Sequence, residues 1–375
     1  MAPENNVRKA NAVGQSIWLD SISRDMFRSG ELERLREVGV SGVTSNPTIF
    51  EKAIAESTIY DQALLGYAEG NAPAETVFER LAVADIRDAA DILRPVYDAA
   101  AGKDGFVSIE VSPRKAFDTE GTVEEARRLW AAIDRPNIMI KVPGTPEGMP
   151  AIRRLISEGI NVNVTLLFAI DAYLDAAHAY IDGLNDFMRA GRGSPARIAS
   201  VASFFVSRVD TSIDRQLPDG HLLRGKAGIA NAKLAYAEFK KLFDITLGSG
   251  NFHPLATTGA QLQRPLWAST SVKDPAYADT MYVDGLMGKH TVNTLPGATL
   301  DAFLNHGSTV DQVSQASDEA RQQIEQLEQE GISMKQVTDD LLAAGVKAFA
   351  DSYESLLGRL ETKLTSLATT SAAGD

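Results

Sequence analysis

Residues 137–145 have the sequence Asn-Ile-Met-Ile-Lys-Val-Pro-Gly-Thr, which predicts a short buried strand with a lysine near its end. Apolar β-branched residues lead into the strand, and Pro143 and Gly144 mark a turn after it. Lys141 allows two interpretations. It can be a strand-end lysine whose amine reaches solvent, or an amine that burial keeps neutral and that attacks a carbonyl group. The rest of the chain decides between them.

Similar short apolar runs recur along the chain, with helical segments between them. The predicted strands cover residues 16–20, 42–47, 105–111, 137–145, 160–168, 198–206, 265–271 and 291–295. Eight strands that alternate with helices predict an α/β fold of the closed (β/α)8 (TIM) barrel type rather than an open sheet. Because no Gly/Ser-rich linker divides the chain, we expect a single barrel domain over residues 1–375, with residues 305–375 as a C-terminal helical extension.

The helical segments carry boundary signals of their own. Thr122, followed by Glu125 three residues later, predicts a capping box at the start of a helix over 122–133. Ser333 predicts the start of a long helix whose apolar stripe runs to Leu364. We expect a helical break at 70–73 and a loop-rich segment at 248–261. The C-terminal helices are consistent with a lid, an oligomer contact or simple packing.

The amino-acid composition excludes or disfavours several classes of function. The formal net charge is −13, which disfavours nucleic-acid binding but permits a small anionic substrate held by a local cluster of positive charge. There is no cysteine, which excludes disulfides, thiolate metal sites and a cysteine nucleophile. The five histidines lack ligand spacing, and no P-loop or dinucleotide motif is present, so we expect neither metal nor cofactor. No signal peptide or membrane span is evident, so we expect a cytoplasmic protein without a membrane partner.

Side chains alternate between the two faces of each predicted strand, and in a barrel one face points inward. The face assigned outward is apolar and comprises Ile17, Leu19, Val43, Val107, Ile109, Ile138, Ile140, Val162 and Val164. The face assigned inward is largely polar and comprises Trp18, Asp20, Thr44, Asn46, Ser108, Glu110, Met139, Lys141, Asn161, Asn163, Thr165, Ser203, Phe205, Trp267 and Ser269. Barrel active sites are built from strand ends at the C-terminal face, so this pattern favours a functional Lys141.

These residue types together suit Schiff-base chemistry. A lysine beside Asp20 and Glu110 can attack a ketone, while one carboxylate shuttles protons during imine formation. The other carboxylate can take a hydroxyl proton as a carbon–carbon bond breaks. Asparagine and threonine side chains can hold substrate hydroxyls and a water. Arg208, just after the sixth strand, is suited either to a phosphate or to a surface ion pair.

At these residues the chain resembles the transaldolases of the pentose phosphate pathway. The matching segments run in family order and comprise Trp18 to Asp20, Thr44 to Pro47, Ser108 to Val111, Ile140 to Pro143, Gly159 to Phe168, and Ser203 to Arg208. The resemblance implies that Lys141 forms the Schiff base, that Glu110 works through a bound water, and that Asp20 acts at the cleaved hydroxyl.

The resemblance also implies the other members of the site. Thr165 joins the catalytic group, and no residue is expected to bind a metal. The substrate-binding residues it implies are Asn46, Thr44, Asn163, Ser203, Phe205, Arg208, Ser269 and Lys273. Lys273 stands where the family pattern leads us to expect an arginine as the second basic residue.

Three functions fit this site. A transferase moves a dihydroxyacetone unit from sedoheptulose 7-phosphate to glyceraldehyde 3-phosphate, giving erythrose 4-phosphate and fructose 6-phosphate. A fructose 6-phosphate aldolase-like lyase would release dihydroxyacetone, and a non-catalytic barrel would only bind sugar phosphates. Lyases of this kind resemble the family but carry Gln and Tyr where this chain has Glu110 and Phe205, which favours the transferase. Both a monomer and a homodimer remain open.

Overall fold

The computed structural model describes residues 4–69, 72–243 and 252–372. The parallel strands in this part of the chain are β1 (Gln15–Leu19), β2 (Gly42–Val43), β3 (Val107–Glu110), β4 (Ile138–Pro143), β5 (Val162–Leu167), β6 (Ser200–Phe205), β7 (Arg264–Ala268) and β8 (Thr291–Leu295). They pair in chain order, and β8 pairs with β1 to close the barrel. The predicted (β/α)8 fold is therefore confirmed.

Helices surround the barrel and extend beyond it. In the described residues they are α1 (Asn6–Val13), α2 (Arg24–Arg28), α3 (Glu31–Val38), α4 (Pro47–Glu56), α5 (Asp61–Glu69), α6 (Ala74–Ala99), α7 (Thr119–Ile133), α8 (Gly148–Ser157), α9 (Ile170–Arg189), α10 (Ser207–Asp214), α11 (Ala227–Leu242), α12 (His253–Ala256), α13 (Met281–Gly285), α14 (Gly297–His306), α15 (Ser317–Gln329) and α16 (Met334–Ala372). Short 3-10 turns lie at Pro113–Lys115 and Pro195–Arg197. Among these helices, none has the length and apolar character needed to cross a bilayer.

Two predicted boundaries are wrong for local reasons. The second strand ends at Val43 because Asn46 and Pro47 form the N-cap and first residue of α4. Helix α7 begins at Thr119, capped by Asp118, so the capping box predicted at Thr122 does not form. The predicted break at 70–73 and loop-rich segment at 248–261 include residues 70–71 and 248–251, which lie outside the described residues.

The two faces of the barrel strands separate two buried apolar clusters. All of the residues predicted to point outward pack with the surrounding helices. Trp18, Met139 and Phe205 lie in the second cluster, which fills the barrel interior and its mouth. The predicted faces therefore hold for these apolar residues of β1 to β6, although the alternation itself breaks at the bulge near Leu166, at the end of β5.

The prediction that Trp267 points inward is wrong. Its ring packs edge-on against Phe204 in the outer cluster, with ring centroids 6.4 Å apart, and its Nε1 donates to the Leu286 carbonyl. The inward residue of β7 is Leu266, which pairs with Ser203 in register. An assignment shifted by one residue exchanges the two faces of a strand, which is the error made here.

The last helix, α16, lies across the C-terminal end of the barrel. It contacts α4, α5, α6, α10 and the end of β5. Thr48 Oγ1 donates to Ser352 Oγ over 2.9 Å, and Lys363 Nζ lies 2.6 Å from Asp61 Oδ1, so polar contacts help to hold the helix to α4 and α5. Of the roles left open for the C-terminal segment, packing over the barrel mouth is therefore observed directly.

Candidate active site

Lys141 lies near the end of β4 with only 6% of its side chain exposed. Its Nζ is 3.2 Å from Glu110 Oε2 and donates to the Ser45 carbonyl oxygen over 3.0 Å. Glu110 is the register partner of Lys141 in the β3–β4 pair, so sheet pairing itself brings the amine and the carboxylate together. The strand-end lysine is thus buried and paired rather than directed to solvent.

Burial dominates the electrostatics of Glu110. It raises the pKa of this carboxyl above its usual value, while the positive charge of Lys141 acts in the opposite direction. Apart from Lys141, neither carboxylate oxygen has a hydrogen-bond partner among the described residues. Thr165 Oγ1, on β5, is likewise buried without a partner in this part of the chain. Buried polar atoms are usually hydrogen-bonded, so these oxygens are available to a substrate or a water.

Asp20 follows β1 and accepts a 2.6 Å hydrogen bond from Thr44 Oγ1. Thr44 Oγ1 is also 2.6 Å from Thr294 Oγ1 on β8. Because Thr44 has a single hydroxyl proton, Thr294 is the donor of this second bond. Burial raises the pKa of Asp20, although the Thr44 bond and the charges of Lys141 and Lys273 lower it. A carboxyl with a raised pKa is suited to exchanging protons near neutral pH.

A second polar layer links β3, β5 and β6. Asn163 Nδ2 donates to Ser108 Oγ over 3.0 Å, and Ser203 Oγ donates to Asn163 Oδ1 over 2.7 Å. All three side chains are buried. Asn163 is also the register partner of Lys141. These bonds hold the predicted substrate-binding residues Asn163 and Ser203 in fixed orientations beside the lysine strand.

Asn46 has a structural role in addition to the predicted one. Its Oδ1 accepts a 3.0 Å bond from the Ile49 backbone N–H and so caps α4. Its neighbour Ser45 supplies the carbonyl oxygen that binds Lys141. Asn46 therefore stays close to the amine, and its Nδ2 is the group that remains to bind a substrate.

The predicted phosphate residues follow β6 and β7, and the charge of Lys273 acts on Asp20. The Arg208 guanidinium lies over the Phe205 ring, 5.4 Å from its centroid. Burial lowers the pKa of Arg208, and in the described part of the chain no carboxylate pairs with it. The pKa of Lys273 is lowered by partial burial and by the charge of Arg208, which places the two cations near each other. A partly buried arginine without an acidic partner is suited to an anionic ligand.

Ser269 joins the end of β7 to the start of α10. Its Oγ lies 2.9 Å from Ser207 Oγ, and its backbone carbonyl accepts from the Ser207 N–H. Ser269 has a φ of 55°, so the regular alternation of β7 ends before it. Its predicted place at the mouth is therefore reached by a turn of the backbone, and not by the strand periodicity used to predict it.

The twelve predicted site residues thus lie within the barrel strands or in the segments that follow them. Among the described residues, no group of three or more His, Cys, Asp or Glu side chains is arranged to hold a metal ion. The arrangement offers a buried amine, two buried carboxyls, hydroxyl and amide groups, and two cations near the opening. Such a set is suited to covalent catalysis on a phosphorylated carbonyl compound.

A family model described as Transaldolase/Fructose-6-phosphate aldolase matches residues 17–360. The chain belongs to this family. Transaldolase 2 from a Nostoc species is 47% identical over 96% of this chain and 98% of its own length. The transaldolase of Saccharopolyspora erythraea is 48% identical over 97% of this chain and 99% of its own length, and that of Thermobifida fusca is 48% identical over 96% and 98%. The resemblance stated from the sequence is confirmed.

Sequence reasoning missed three residues around this transaldolase-type site. Thr294 was missed because no inward residue was assigned on β8, although the same alternation identifies it. The ring centroid of Phe349, in α16, lies 5.9 Å from Lys141 Nζ. It was missed because the apolar stripe of α16 indicates burial but not which residues the helix covers. Asp210 was missed because a single acidic residue in a helix gives no signal of burial.

Asp210 anchors α10, the helix that carries Arg208. Its carboxylate accepts a 2.8 Å bond from the Gly228 N–H of α11 and a 2.9 Å bond from the Tyr282 hydroxyl of α13. Burial raises the pKa of Asp210 to about 7. The helix that carries Arg208 is therefore held by a buried acid whose raised pKa, about 7, lies near neutral pH.

This pKa predicts how stability changes with pH. Between about pH 4 and pH 7 the folded state keeps the Asp210 proton that the unfolded state loses, so the free energy of unfolding falls as pH rises. The slope from this single group is at most about 1.4 kcal/mol per pH unit. Asp210→Asn should remove this component in urea unfolding curves measured from pH 4.5 to 7, because its Oδ1 can still accept from Gly228 while its Nδ2 donates to the Tyr282 hydroxyl oxygen. Curves for wild type and variant that stay parallel over this range would contradict the assignment.

Proposed function

We propose that the protein is a transaldolase that moves a dihydroxyacetone unit from sedoheptulose 7-phosphate to glyceraldehyde 3-phosphate, giving erythrose 4-phosphate and fructose 6-phosphate. The observation that carries this proposal is the buried Lys141 amine, 3.2 Å from the Glu110 carboxylate at the C-terminal end of the barrel. Family membership over nearly the whole chain supports the same conclusion.

The first half of the reaction builds the Schiff base. A proton passes from Lys141 to Glu110, whose raised pKa equips it to accept one, and this leaves a neutral nucleophilic amine. The amine adds to the C2 carbonyl of the donor sugar and forms a carbinolamine. Glu110, acting through a water, then returns a proton to the C2 hydroxyl, which leaves as water. The product is a protonated imine that withdraws electrons from the neighbouring C3–C4 bond.

The second half breaks this bond. Asp20 takes the proton of the C4 hydroxyl, the C3–C4 bond opens, and the aldehyde product leaves. The remaining three carbons stay on Lys141 as an enamine. When the acceptor aldehyde binds, the enamine carbon attacks it and Asp20 returns the proton. Water then releases the new ketose. The hydrogen bond from Thr44 keeps Asp20 oriented through both transfers.

The remaining site residues hold the substrate. Around the dihydroxyacetone unit these are Asn46, Thr44, Asn163, Ser203 and Thr165, with Phe205 as the apolar wall. Arg208 and Lys273 bind the phosphate, and Ser269 supports the start of α10. The absence of an acidic partner for Arg208 in the described residues and its proximity to Lys273 support this assignment.

The wider biology follows the same proposal. The chain acts as one barrel domain over residues 1–375, with 305–375 as a helical extension that packs on the barrel. It works in the cytoplasm as a monomer or homodimer, on sugar phosphates, and not on nucleic acid or membranes. It uses neither metal nor cofactor, because the lysine supplies the electron-withdrawing group that a metal would otherwise supply.

Two alternatives use the same barrel. A fructose 6-phosphate aldolase-like lyase would release dihydroxyacetone to water, and Glu110 and Phe205 disfavour it because such lyases carry Gln and Tyr at these positions. A non-catalytic sugar-phosphate-binding barrel would have no need for a buried amine. The first two experiments below test catalysis and substrate binding, and the third separates transferase from lyase.

The Schiff base can be trapped directly. Borohydride added with fructose 6-phosphate should leave a reduced dihydroxyacetone adduct on the peptide that contains Lys141, as measured by mass spectrometry. The adduct should form equally after dialysis against EDTA. Lys141→Ala and protein without sugar serve as controls. An adduct on another lysine, or no adduct at all, would reject the proposed nucleophile.

Arg208 can be tested with paired substrates. Arg208→Ala should raise the KM for phosphorylated sugars about 10- to 160-fold and change kcat little, because a charge-assisted bidentate contact of roughly 1.5–3 kcal/mol is lost. The activity toward unphosphorylated fructose should not change. Arg192→Ala, an exposed arginine on another loop, is the control for net charge. An equal loss with both classes of sugar would mean that Arg208 does not bind the phosphate.

Phe205 tests what makes the enzyme a transferase. Its buried ring packs against Phe168, with centroids 5.2 Å apart, and offers no proton donor. Phe205→Tyr adds a hydroxyl that can donate a proton or position a water, so release of free dihydroxyacetone should rise relative to transfer. Phe205→Leu removes the ring without adding a hydroxyl and is the matched control. If the tyrosine variant partitions as wild type does, the ring serves only as packing.

A further inference from the structure

Helix α16 places two residues, one helical turn apart, on the two ends of the site. Gly345 faces the phosphate side and Phe349 faces the lysine. Both lie in the N-terminal half of α16, whose apolar residues belong to the same buried cluster as the barrel interior. Because residues four apart share one face of a helix, a single face of α16 covers the opening of the barrel.

The contacts at Gly345 show how closely α16 lies over the opening of the barrel. A Cβ atom at position 345 would lie 3.0 Å from Leu166 Cδ2 and 3.6 Å from the Arg208 guanidinium. Leu166 stands at the bulge that ends β5 and has a φ of 60°, which turns its side chain up toward the helix. A side chain at 345 would require Leu166 to shift by a few tenths of an ångström, so the backbone of α16 lies directly against the residues of the mouth.

The same close packing of α16 holds Phe349 over the Lys141 amine. Its ring is 6% exposed, and its centroid is 5.9 Å from Lys141 Nζ. The bond between Thr48 and Ser352 fixes the helix less than one turn further on. A cation within about 6 Å of an aromatic centroid is attracted by the ring electrons. The ring can therefore cover a charged nitrogen and still exclude water from it.

We propose that Phe349 is an active-site residue whose ring shields the nitrogen of the Lys141 Schiff base and keeps bulk water from its imine carbon, so that only the water held by Glu110 reaches it. This inference rests on the proposed Schiff-base function. It assigns to the C-terminal helix a specific part in the reaction, beyond packing: the helix helps to decide whether the three-carbon unit is transferred or lost.

The chemistry of the intermediate explains why shielding matters. The enamine on Lys141 is lost to water in three steps. A proton adds to its carbon and regenerates the protonated imine, water adds to the imine carbon, and the carbinolamine then expels the lysine amine as dihydroxyacetone forms. The second step needs a water beside the imine carbon. Phe349 covers this region from α16, whereas Phe205 belongs to β6 and lies in the same cluster.

The ring also favours the charged form of the imine. A protonated imine retains its positive charge but has exchanged two of the N–H donors of the lysine ammonium for a bond to carbon. It therefore forms fewer hydrogen bonds with Glu110 and Ser45, and the face of the Phe349 ring supplies attraction that needs no donor. Loss of the ring should consequently slow imine formation as well as admit water.

The test uses Phe349→Leu, with Phe349→Met as a second variant that keeps more of the apolar volume. Leu360→Ala is the matched control, because Leu360 is a buried residue of α16 that packs in the outer cluster, away from Lys141. Each protein is given fructose 6-phosphate with and without erythrose 4-phosphate. The rates of free dihydroxyacetone release and of sedoheptulose 7-phosphate formation are measured, together with thermal unfolding.

In the Phe349 variants the ratio of release to transfer should rise about threefold or more as water gains access. Their kcat/KM for transfer should fall about 2- to 30-fold, the range expected when a cation loses an aromatic partner. Leu360→Ala should lower the melting temperature and leave the ratio as in wild type.

A wild-type ratio in a folded Phe349 variant would overturn the inference, and so would an equal rise in Leu360→Ala, because the effect would then come from loosening of the helix. If one of the two Phe349 variants does not fold, the ratio of release to transfer in the other variant tests the inference. If wild-type protein neither transfers nor forms the Lys141 adduct, the proposed function fails first, and this outcome is distinct from the failure of Phe349 alone.

Discussion

The contact between Lys141 and Glu110 is the interaction on which the rest of the site depends. Taking an amine and a carboxylate out of water is costly, and their attraction compensates for this only when the geometry is good. Here the geometry comes from the pairing of β3 with β4, which sets the two residues side by side. A shift of one residue in that register would turn the lysine into the apolar layer under the helices. The apolar outer faces of the strands therefore do more than stabilise the barrel, because they also prevent this shift.

Much of this arrangement could be predicted from the sequence because it follows from strand periodicity. Alternation along β1 to β6 separated the apolar outer residues from the polar inner ones, and the structure places them accordingly. The assignment of inward and outward faces failed at β7, where the alternation was extended to Ser269. The backbone at Ser269 has a φ of 55°, so periodicity no longer holds there, and Trp267 was assigned to the wrong face. The failed capping box at Thr122 has a similar origin, since Asp118 offers an equally good cap one turn earlier.

The parts that could not be predicted are contacts between residues far apart in the sequence. Arg208 lies in the first turn of α10 and Lys273 follows β7, and the pairing of β6 with β7 brings their charges near each other. The apolar stripe of α16 predicted that one face of this helix is buried, but not that Phe349 covers Lys141 while Leu360 packs on the outer layer. Amphipathic patterns report burial without naming the partner. The C-terminal helix consequently remained consistent with three roles until its neighbours were known.

The distribution of exposure across the mouth implies an order of entry for the substrate. At one end Lys141 is 6% exposed and lies under Phe349, while at the other end Lys273 is exposed to solvent. In the proposed mechanism, a sugar phosphate enters with its carbonyl end first and leaves its phosphate among the cations at the opening. After the C3–C4 bond breaks, the aldehyde product lies on the phosphate side and can leave while the three-carbon unit stays beneath α16. The acceptor aldehyde enters by the same side. One opening, charged at its rim and apolar above the amine, would thus allow aldehydes to exchange without exposing the proposed enamine to bulk water.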